Sequence, residues 1–218
     1  MSRLVTAYAT LAVALVGAGC SSAVPAGIGV VAPPTIEATP DAERYVVGPD
    51  QATVEAQVSA GASYTLTFAR QTGTLVVSPG KPEASTVDFL VQTESAESSL
   101  GVVADIAKDQ FLHSVQFPIA RFTSSSLRKR PDGTFDLYGE LELCGTKKSL
   151  VVPATIAINA CRIEVKSEFA VDRHVFGAVS DGSFEGLVSD MVTLRIQADV
   201  RRSSAPPSCK KKLEADDG

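Results

Sequence analysis

The 218-residue sequence contains few of the residue types on which most catalytic sites and nucleic-acid interfaces depend. It has no Trp, two His and an aromatic fraction of 6%. Its 20 basic and 25 acidic side chains give a net charge of −5, which argues against the basic face of a nucleic-acid-binding protein. The hydrophobic fraction of 44% is ordinary for a globular protein and argues against intrinsic disorder.

Residues that could support catalysis or bind a metal are scattered along the chain. His113 and His174 are about sixty positions apart, and no group of His, Cys or carboxylates has metal-ligand spacing. Ser183 lies in the sequence GSFEG, which lacks the spacing of a serine-hydrolase elbow. No phosphate-binding glycine loop or dinucleotide fingerprint follows a strand. The sequence therefore predicts no metal, no cofactor and no catalytic residue, and a hydrolase that uses Ser183 and His174 is a remote alternative.

The N-terminus has the pattern of a secretory signal. Residues 4–19 carry no charged side chain and follow Arg3, and this run is too short to cross a bilayer comfortably. The sequence VGAGC at 16–20 resembles a bacterial lipobox, although Gly17 stands where Leu is usual. We expect a signal peptide, a lipidated Cys20 and a location in the bacterial periplasm or cell envelope. Ordinary cleavage after a small residue, which would leave a soluble exported protein, is the alternative.

Composition divides the chain into four parts. The signal peptide covers 1–19. Residues 20–42 are polar or small, contain four prolines and predict a flexible linker behind the anchor. Residues 203–218 hold a Pro-Pro pair and three consecutive lysines and are expected to form a flexible tail. Residues 43–202 remain as one domain, with no internal transmembrane candidate.

Strict alternation of apolar and polar residues predicts long strands in this domain. Three nine-residue stretches, 135–143, 161–169 and 192–200, alternate at period two, which is typical of strands with one wet and one buried face. Further strands are expected at 51–58, 63–69, 73–78, 85–93, 117–128 and 148–158. Residues 100–111 have helical apolar spacing and predict one short helix near one mouth. The predicted fold class is all-β, an extended antiparallel β-barrel of about eight strands.

Several local patterns resemble the YceI-like family of exported lipid-binding proteins. They are found at 45–54, 73–77, 85–91, 117–124, 139–150 and 171–177, the last containing an R-x-x-F-G signature. The resemblance implies a lipocalin-like barrel with an elongated apolar cavity, which in characterised members takes a polyisoprenoid chain such as an isoprenoid quinone or a prenyl phosphate. Many members carry a longer insertion before the strand that begins near Phe117, so the rim of the pocket is expected to differ here.

The expected ligand contacts are the inward-facing apolar positions of the strands. They are Phe68, Phe89, Phe117, Phe122, Leu141, Leu143, Ile156, Val165, Phe169, Leu194 and Ile196. Plain core packing is an equally good interpretation of each. Arg173 and His174 lie where the family signature leaves a strand, so they either meet a polar headgroup or have a structural role.

The remaining cysteines are expected to meet an oxidising compartment. Along the strand meander, Cys144 and Cys161 belong to opposite ends of the barrel, beyond disulfide reach. The last strand should end near Cys161, so we predict a Cys161–Cys209 disulfide and a free Cys144. Strand alternation points Cys161 inward, which weakens this pairing.

The predicted function is an exported, membrane-anchored protein that holds an isoprenoid-type amphiphile and does not bind nucleic acid. The alternative is a solid envelope module whose outer face binds a partner protein. The sequence leaves open which lipid binds and whether the protein forms a homodimer.

Overall fold

The computed structural model describes residues 42–78, 81–182 and 184–202, together with Cys209. The expected signal peptide, nearly all of the linker and most of the tail lie outside the described residues. The strands are β1 Glu43–Val47, β2 Ala52–Ser59, β3 Ser63–Phe68, β4 Gln71–Val77, β5 Thr86–Gln92, β6 Ala96–Glu97, β7 Ile119–Lys129, β8 Phe135–Leu143, β9 Thr146–Ile158, β10 Arg162–Asp172 and β11 Met191–Arg201. The predicted long strands are confirmed, with ends that differ by a few residues at most.

Each of these strands is antiparallel to its hydrogen-bonded neighbours. In three places, two consecutive strands continue into each other as one long bent strand. β1 leads into β2, β3 into β4 and β5 into β6 through connections of two to four residues, and each pair contributes to two parts of the sheet. Thus β2 and β1 both pair with the β3–β4 strand, and β4 and β3 both pair with the β5–β6 strand. Pairing continues from β5 through β7 to β11, which returns to β2. The sheet therefore curls into a lipocalin-like barrel of eight long strands, as the alternation predicted.

The up-and-down order of the strands sorts their connections between two ends. One end, here called the rim end, carries residues 60–62, 98–118, 144–145 and 173–190. The opposite end, the base end, carries the connection between β4 and β5 and the turns at 130–134 and 159–161. The predicted helix is confirmed at the rim end, because α1 covers Gly101–Ile106 and continues as a π turn over Ala107–Phe111.

A tight turn joins β8 to β9 at the rim end. Cys144 and Gly145 both have positive φ, 48° and 71°, as a two-residue hairpin turn of the primed type requires. Such backbone is easy for Gly and unusual for Cys. The buried Cys144 thiol donates weak hydrogen bonds to the carbonyl oxygens of Phe111 and Leu112, both at 3.5 Å. The turn is thereby attached to the end of the helical segment.

One covalent and one ionic link hold the base end together. Cys161 and Cys209 form a disulfide with their Cα atoms 5.5 Å apart, and Cys144 is free. The expected inward direction of Cys161 does not apply, because β10 begins one residue later and Cys161 lies in the preceding turn. Arg202 pairs with Glu43 at 2.9 Å, so the last strand is tied to the first.

The barrel interior is filled in its base half. One buried cluster contains Tyr45, Val47, Ala52, Leu75, Ile163 and Val200. A second, beside it, contains Leu127, Leu137, Val152 and Ala154. These residues come from strand segments near the base end, and Ile163 is 1% exposed. The base half is therefore packed in the way that the solid-core alternative from the sequence would require.

Candidate ligand-binding cavity

The rim half of the barrel encloses a cavity of about 440 Å³. This volume lies within the range of about 300–1,000 Å³ that is typical of small-molecule sites. Its wall is almost entirely apolar and comes from both the strands and the rim segments. The lining residues include Val54, Ala56, Leu66, Val91, Ala120, Val171 and Val192 on the strands, Val103, Ile106 and Phe111 on the helical segment, and Ala178, Phe184, Leu187 and Val188 on the 173–190 segment.

Nine of the thirteen residues expected from the sequence to contact ligand line this cavity. They are Phe68, Phe89, Phe122, Leu141, Leu143, Phe169, Arg173, Leu194 and Ile196. Each apolar member is on the inward face of its strand in the rim half. The structure therefore brings most of the expected ligand-contact residues together around the rim-half cavity.

Two of the expected residues lie below the cavity instead. Ile156 and Val165 face each other in the register of β9 and β10 and pack against the base-half clusters. They point inward, as alternation requires, but their level along the strand places them in the filled half. They form part of the floor of the cavity rather than its wall.

Phe117 is a third residue that lies outside the cavity. Its ring packs under the β8–β9 turn, where a Cβ on Gly145 would come within 2.8 Å of ring atom Cε1. Phe117 precedes β7, and its carbonyl oxygen accepts a hydrogen bond from the Thr93 hydroxyl at 2.8 Å. The short connection before Phe117 thus ends in a structural contact that supports the rim.

Two glycines allow phenylalanine rings to lie along the cavity wall. A Cβ on Gly73 would meet Cδ2 of Phe89 at 2.5 Å, and one on Gly139 would meet Cζ of Phe122 at 2.7 Å. Both glycines are on strands adjacent to the phenylalanine concerned. Any larger residue would force these rings to shift, so the glycines set the positions of two large wall residues.

Arg173 organises the segment that closes part of the rim. Nε donates to the carbonyl oxygen of Ser189 at 3.1 Å, and Nη1 donates to the carbonyl oxygen of Ala178 at 3.1 Å and to Glu185 Oε2 at 3.0 Å. Nη2 donates to the carbonyl oxygens of Glu185 at 3.2 Å and Val188 at 3.1 Å. All five N–H groups of the guanidinium are therefore used.

This geometry favours the structural role of Arg173 over a headgroup contact. The side chain is buried, and its Cζ atom lies 5.1 Å from the centre of the Phe111 ring. A lipid headgroup would have to displace one of the five existing hydrogen bonds. Arg173 instead holds residues 178–182 and 184–189, here called the lid, against the helical segment.

Glu185 is the charged partner within the lid. Its Oε2 accepts a hydrogen bond from the backbone N–H of Ser180 at 2.7 Å. That bond, followed by those from Arg173, lowers the pKa of the Glu185 carboxyl below its ordinary value. The carboxylate is thus charged at neutral pH and links both halves of the lid to Arg173.

His174 lies outside the cavity. Its Nε2 atom is 2.9 Å from Asp190 Oδ1 and 3.5 Å from Glu185 Oε1, and the ring is partly exposed. Ser183, the other residue of the hydrolase alternative, lies outside the described residues. Among the described residues, no group of three or more His, Cys, Asp or Glu side chains is arranged to hold a metal ion.

Few polar groups reach the cavity wall. Thr93 already donates to Phe117, and Arg121 forms a two-pronged ion pair with the buried Asp88, which raises the pKa of the Arg121 guanidinium. Tyr64 lines the cavity near the rim, and its hydroxyl has no hydrogen-bond partner in the described part of the chain. Tyr64 is therefore a candidate for contact with a polar end of a ligand.

Sequence reasoning missed the lid and the helical contribution to the wall. The helical spacing of apolar residues at 100–111 predicts an apolar face, and this signal could have identified Val103, Ile106 and Phe111 as wall residues. Leu187 and Ala178 carried no periodic signal, because the lid is irregular and is held by hydrogen bonds to backbone carbonyl groups. No sequence pattern marks such bonds.

A comparison with known families assigns the domain. The model of the YceI-like domain matches residues 45–200, most of the chain. The chain belongs to the YceI-like family. The match begins and ends within a few residues of the predicted domain limits at 43 and 202.

Solved structures of low sequence identity share this fold. The crystal structure of BcnA from Burkholderia cenocepacia is 17% identical, with a TM-score of 0.64 over 70% of this chain and 98% of that one. A polyisoprenoid-binding domain from Saccharophagus degradans is 12% identical, with a TM-score of 0.57 over 73% and 98% of the two chains.

A closer sequence relative covers a shorter region. A protein of Pseudomonas savastanoi pathovar phaseolicola, described as a UPF0312 protein, is 31% identical over 90 residues. These residues are 41% of this chain and 47% of that protein. The chain thus spans about half the length of this relative.

The YceI-like signature at 171–177 can now be explained by its contacts. Its Arg is Arg173, which holds the lid. Its Phe is Phe176, which is buried in a cluster with Leu141 and Val171 beside the cavity. Its Gly is Gly177, which has φ 72° and ends the short helical turn. The motif therefore builds the rim of the cavity.

Proposed function

We propose that this YceI-like protein binds a lipid in the rim-half cavity. The observation that carries the proposal is an apolar space of about 440 Å³ above a filled base. Transfer of a ligand from water would contribute about 0.8 kcal/mol per buried methylene. A hydrocarbon chain therefore needs few polar contacts to bind here, and few are present on the wall.

We infer that the lipid is an isoprenoid-type amphiphile, such as an isoprenoid quinone or a prenyl phosphate. The polyisoprenoid-binding domain of Saccharophagus degradans, which shares the fold, supports this class of ligand. The apolar tail would lie between the strands, and the polar end would lie near Tyr64 at the rim. The branched Val, Leu and Ile side chains of the wall suit a branched chain.

We further propose that the protein is exported and anchored to a membrane through a lipidated Cys20. The uncharged run at 4–19 and the cysteine that follows it support export and lipidation. The disulfide at the base end is consistent with an oxidising compartment such as the bacterial periplasm or cell envelope.

The proposed activity is binding without catalysis. His174, the one histidine weighed for a catalytic role, faces Asp190 and Glu185 rather than the cavity. The guanidinium of Arg173 is fully used within the lid. The cavity wall is almost entirely hydrocarbon, and its few polar residues, such as Thr93 and Arg121, are already hydrogen-bonded within the protein.

The first experiment is organic extraction of the natively expressed protein, followed by mass spectrometry of the extract. We expect a prenyl lipid at about one molecule per protein. The purified, delipidated protein should then bind farnesol in calorimetric titration. An empty extract together with no farnesol binding would reject the proposal.

A space-filling variant connects the binding to this cavity. Ala120→Phe places a ring in the cavity and should weaken farnesol binding at least about tenfold. Ala157→Phe, on the exposed face of β9, is the matched control and should bind like the wild type. Equal affinities of the two variants would place the ligand elsewhere.

A further inference from the structure

Large apolar side chains exposed to solvent are concentrated at the rim end. Among the described residues nine such side chains are exposed, and six lie on the rim segments or next to them. The six are Leu100, Val102, Val115, Val175, Leu187 and Met191. Val102 and Leu187 are each 63% exposed, and Val115 is 94% exposed. Exposed apolar groups that cluster in this way mark interaction surfaces.

This apolar rim surface is continuous with the cavity. Leu187 both lines the cavity and faces solvent. On α1, Val103 lines the cavity while its neighbour Val102 points into solvent. A lipid that leaves the cavity beside Leu187 or α1 would therefore meet exposed hydrocarbon at once.

The charges of the rim indicate which partner this surface fits. The rim segments carry five carboxylates, on Asp105, Asp109, Asp181, Glu185 and Asp190, against two basic groups, on Lys108 and Arg173. The Arg173 charge is buried and paired with Glu185. Surfaces that bind anionic lipid or nucleic acid need the opposite sign. The surface therefore fits an uncharged hydrocarbon-water interface.

We propose that the rim end docks on the uncharged surface of a lipid bilayer and exchanges the bound lipid there. This inference rests on the proposed lipid-binding function and names the partner of the same site. In this arrangement Val102, Val115 and Leu187 contact the lipid at the level of the headgroups. The attraction is hydrophobic, so it depends little on salt.

Hydrogen exchange of the full-length protein, with and without phosphatidylcholine vesicles, tests the orientation directly. We expect the amides of 98–116 and 184–191 to exchange several-fold more slowly with vesicles. The amides of the base-end turns at 130–134 and 159–161 should be unchanged. An N-terminal anchor would hold the protein near the membrane but would not select the rim end for protection.

A pair of double variants provides the matched control. Val102→Glu with Val115→Glu adds charge to the rim without altering a cavity-lining residue, and should abolish the protection while farnesol binding in solution stays within about twofold of the wild type. Val46→Glu with Ile158→Glu alters two exposed residues far from the rim, 54% and 52% exposed, and should retain the protection.

The outcomes separate this inference from the proposed function. If the wild-type protein does not bind farnesol, the proposed lipid-binding function is rejected. Normal farnesol binding with no vesicle protection at the rim rejects the docking alone. Protection that needs phosphatidylglycerol and disappears in 1 M salt overturns the uncharged-surface proposal. A concentration-dependent dimer that the rim double variant dissociates, detected by light scattering, would assign the surface to a second copy instead.

Discussion

The two halves of the barrel are built from the same alternating strands but differ in what their inward faces do. In the base half these faces meet in buried clusters around Ile163. There a disulfide links the turn before β10 to Cys209, and the Glu43–Arg202 ion pair ties the first strand to the end of the last. In the rim half they leave a cavity, and the lid is held by the polar contacts of one arginine. The comparison teaches that the same alternating pattern can build a packed core at one level of a barrel and the wall of a cavity at another.

The base disulfide should give the largest effect on stability. Cys161→Ser with Cys209→Ser opens a link across 48 positions, for which the chain-entropy relation gives about 4 kcal/mol of unfolding free energy. Urea unfolding under oxidising conditions measures the loss. Farnesol affinity under native conditions should change little, because the cavity is at the other end. A loss below about 1 kcal/mol would show that the base does not depend on this link.

A pair of truncations compares the two halves directly. Ile163→Ala creates a new void in the filled base and should cost about 3–4 kcal/mol of unfolding free energy. Leu194→Ala enlarges a space that already exists, so it should cost only about 1–2 kcal/mol. Urea unfolding of both variants checks the difference. Equal losses would mean that the rim half is as tightly packed as the base.

The lid should respond to loss of the Glu185 charge without global unfolding. Glu185→Gln removes the carboxylate that binds Arg173 and the Ser180 amide, so the amides of 178–182 and 184–189 should exchange several-fold faster. Asp190→Asn is the control, since Asp190 is 3.8 Å from Arg173 and more exposed; it should have a smaller effect. The base-end amides should exchange at wild-type rates in both variants.

The same contact predicts a pH dependence. The pKa of Glu185 is lowered in the folded protein, so its contribution to stability is present above the ordinary carboxyl pKa and is lost as pH falls through the lowered value. Lid exchange, corrected for intrinsic rates, should therefore accelerate in acid in the wild type. In Glu185→Gln this titration should be absent. An identical acid response in both proteins would assign it to another group.

A last prediction concerns the chemistry of a rim residue and not the stability of the fold. Burial raises the pKa of the Cys144 thiol to about 11. At pH 8 about 0.1% of it is thiolate, so iodoacetamide should alkylate it about a hundredfold more slowly than in the urea-unfolded chain. Mass spectrometry of the labelled peptide follows the rate. A native rate equal to the unfolded rate would mean that the β8–β9 turn opens readily.

The strands and the helix could be predicted from the sequence because each has its own apolar period. Stretches such as 162–172 and 191–201 alternate throughout, and the helical face at 100–111 is spaced at three and four residues. The topology also placed Cys161 and Cys209 at the same end. These features depend on local pattern and on the order of the strands, which a sequence contains.

The division of the interior into floor and wall could not be predicted. Alternation separates inward from outward residues but not one level of the barrel from another, so Val165 in the floor looks the same as Phe169 in the wall. Arg173 was equally ambiguous, because its five partners include four backbone carbonyl groups brought together by an irregular segment. Such groups are identical at every residue, and only the folded chain shows where they converge.

The filled base also gives the cavity a fixed depth. If a lipid chain enters tail first from the rim, as proposed, the packed residues around Ile156 and Val165 would stop it, and the barrel would limit the length of tail that fits. Short tails would let the polar end sink below Tyr64, whereas long ones would hold it outside the lid. The protein would thus select amphiphiles by the length of their apolar tail before it distinguishes their headgroups.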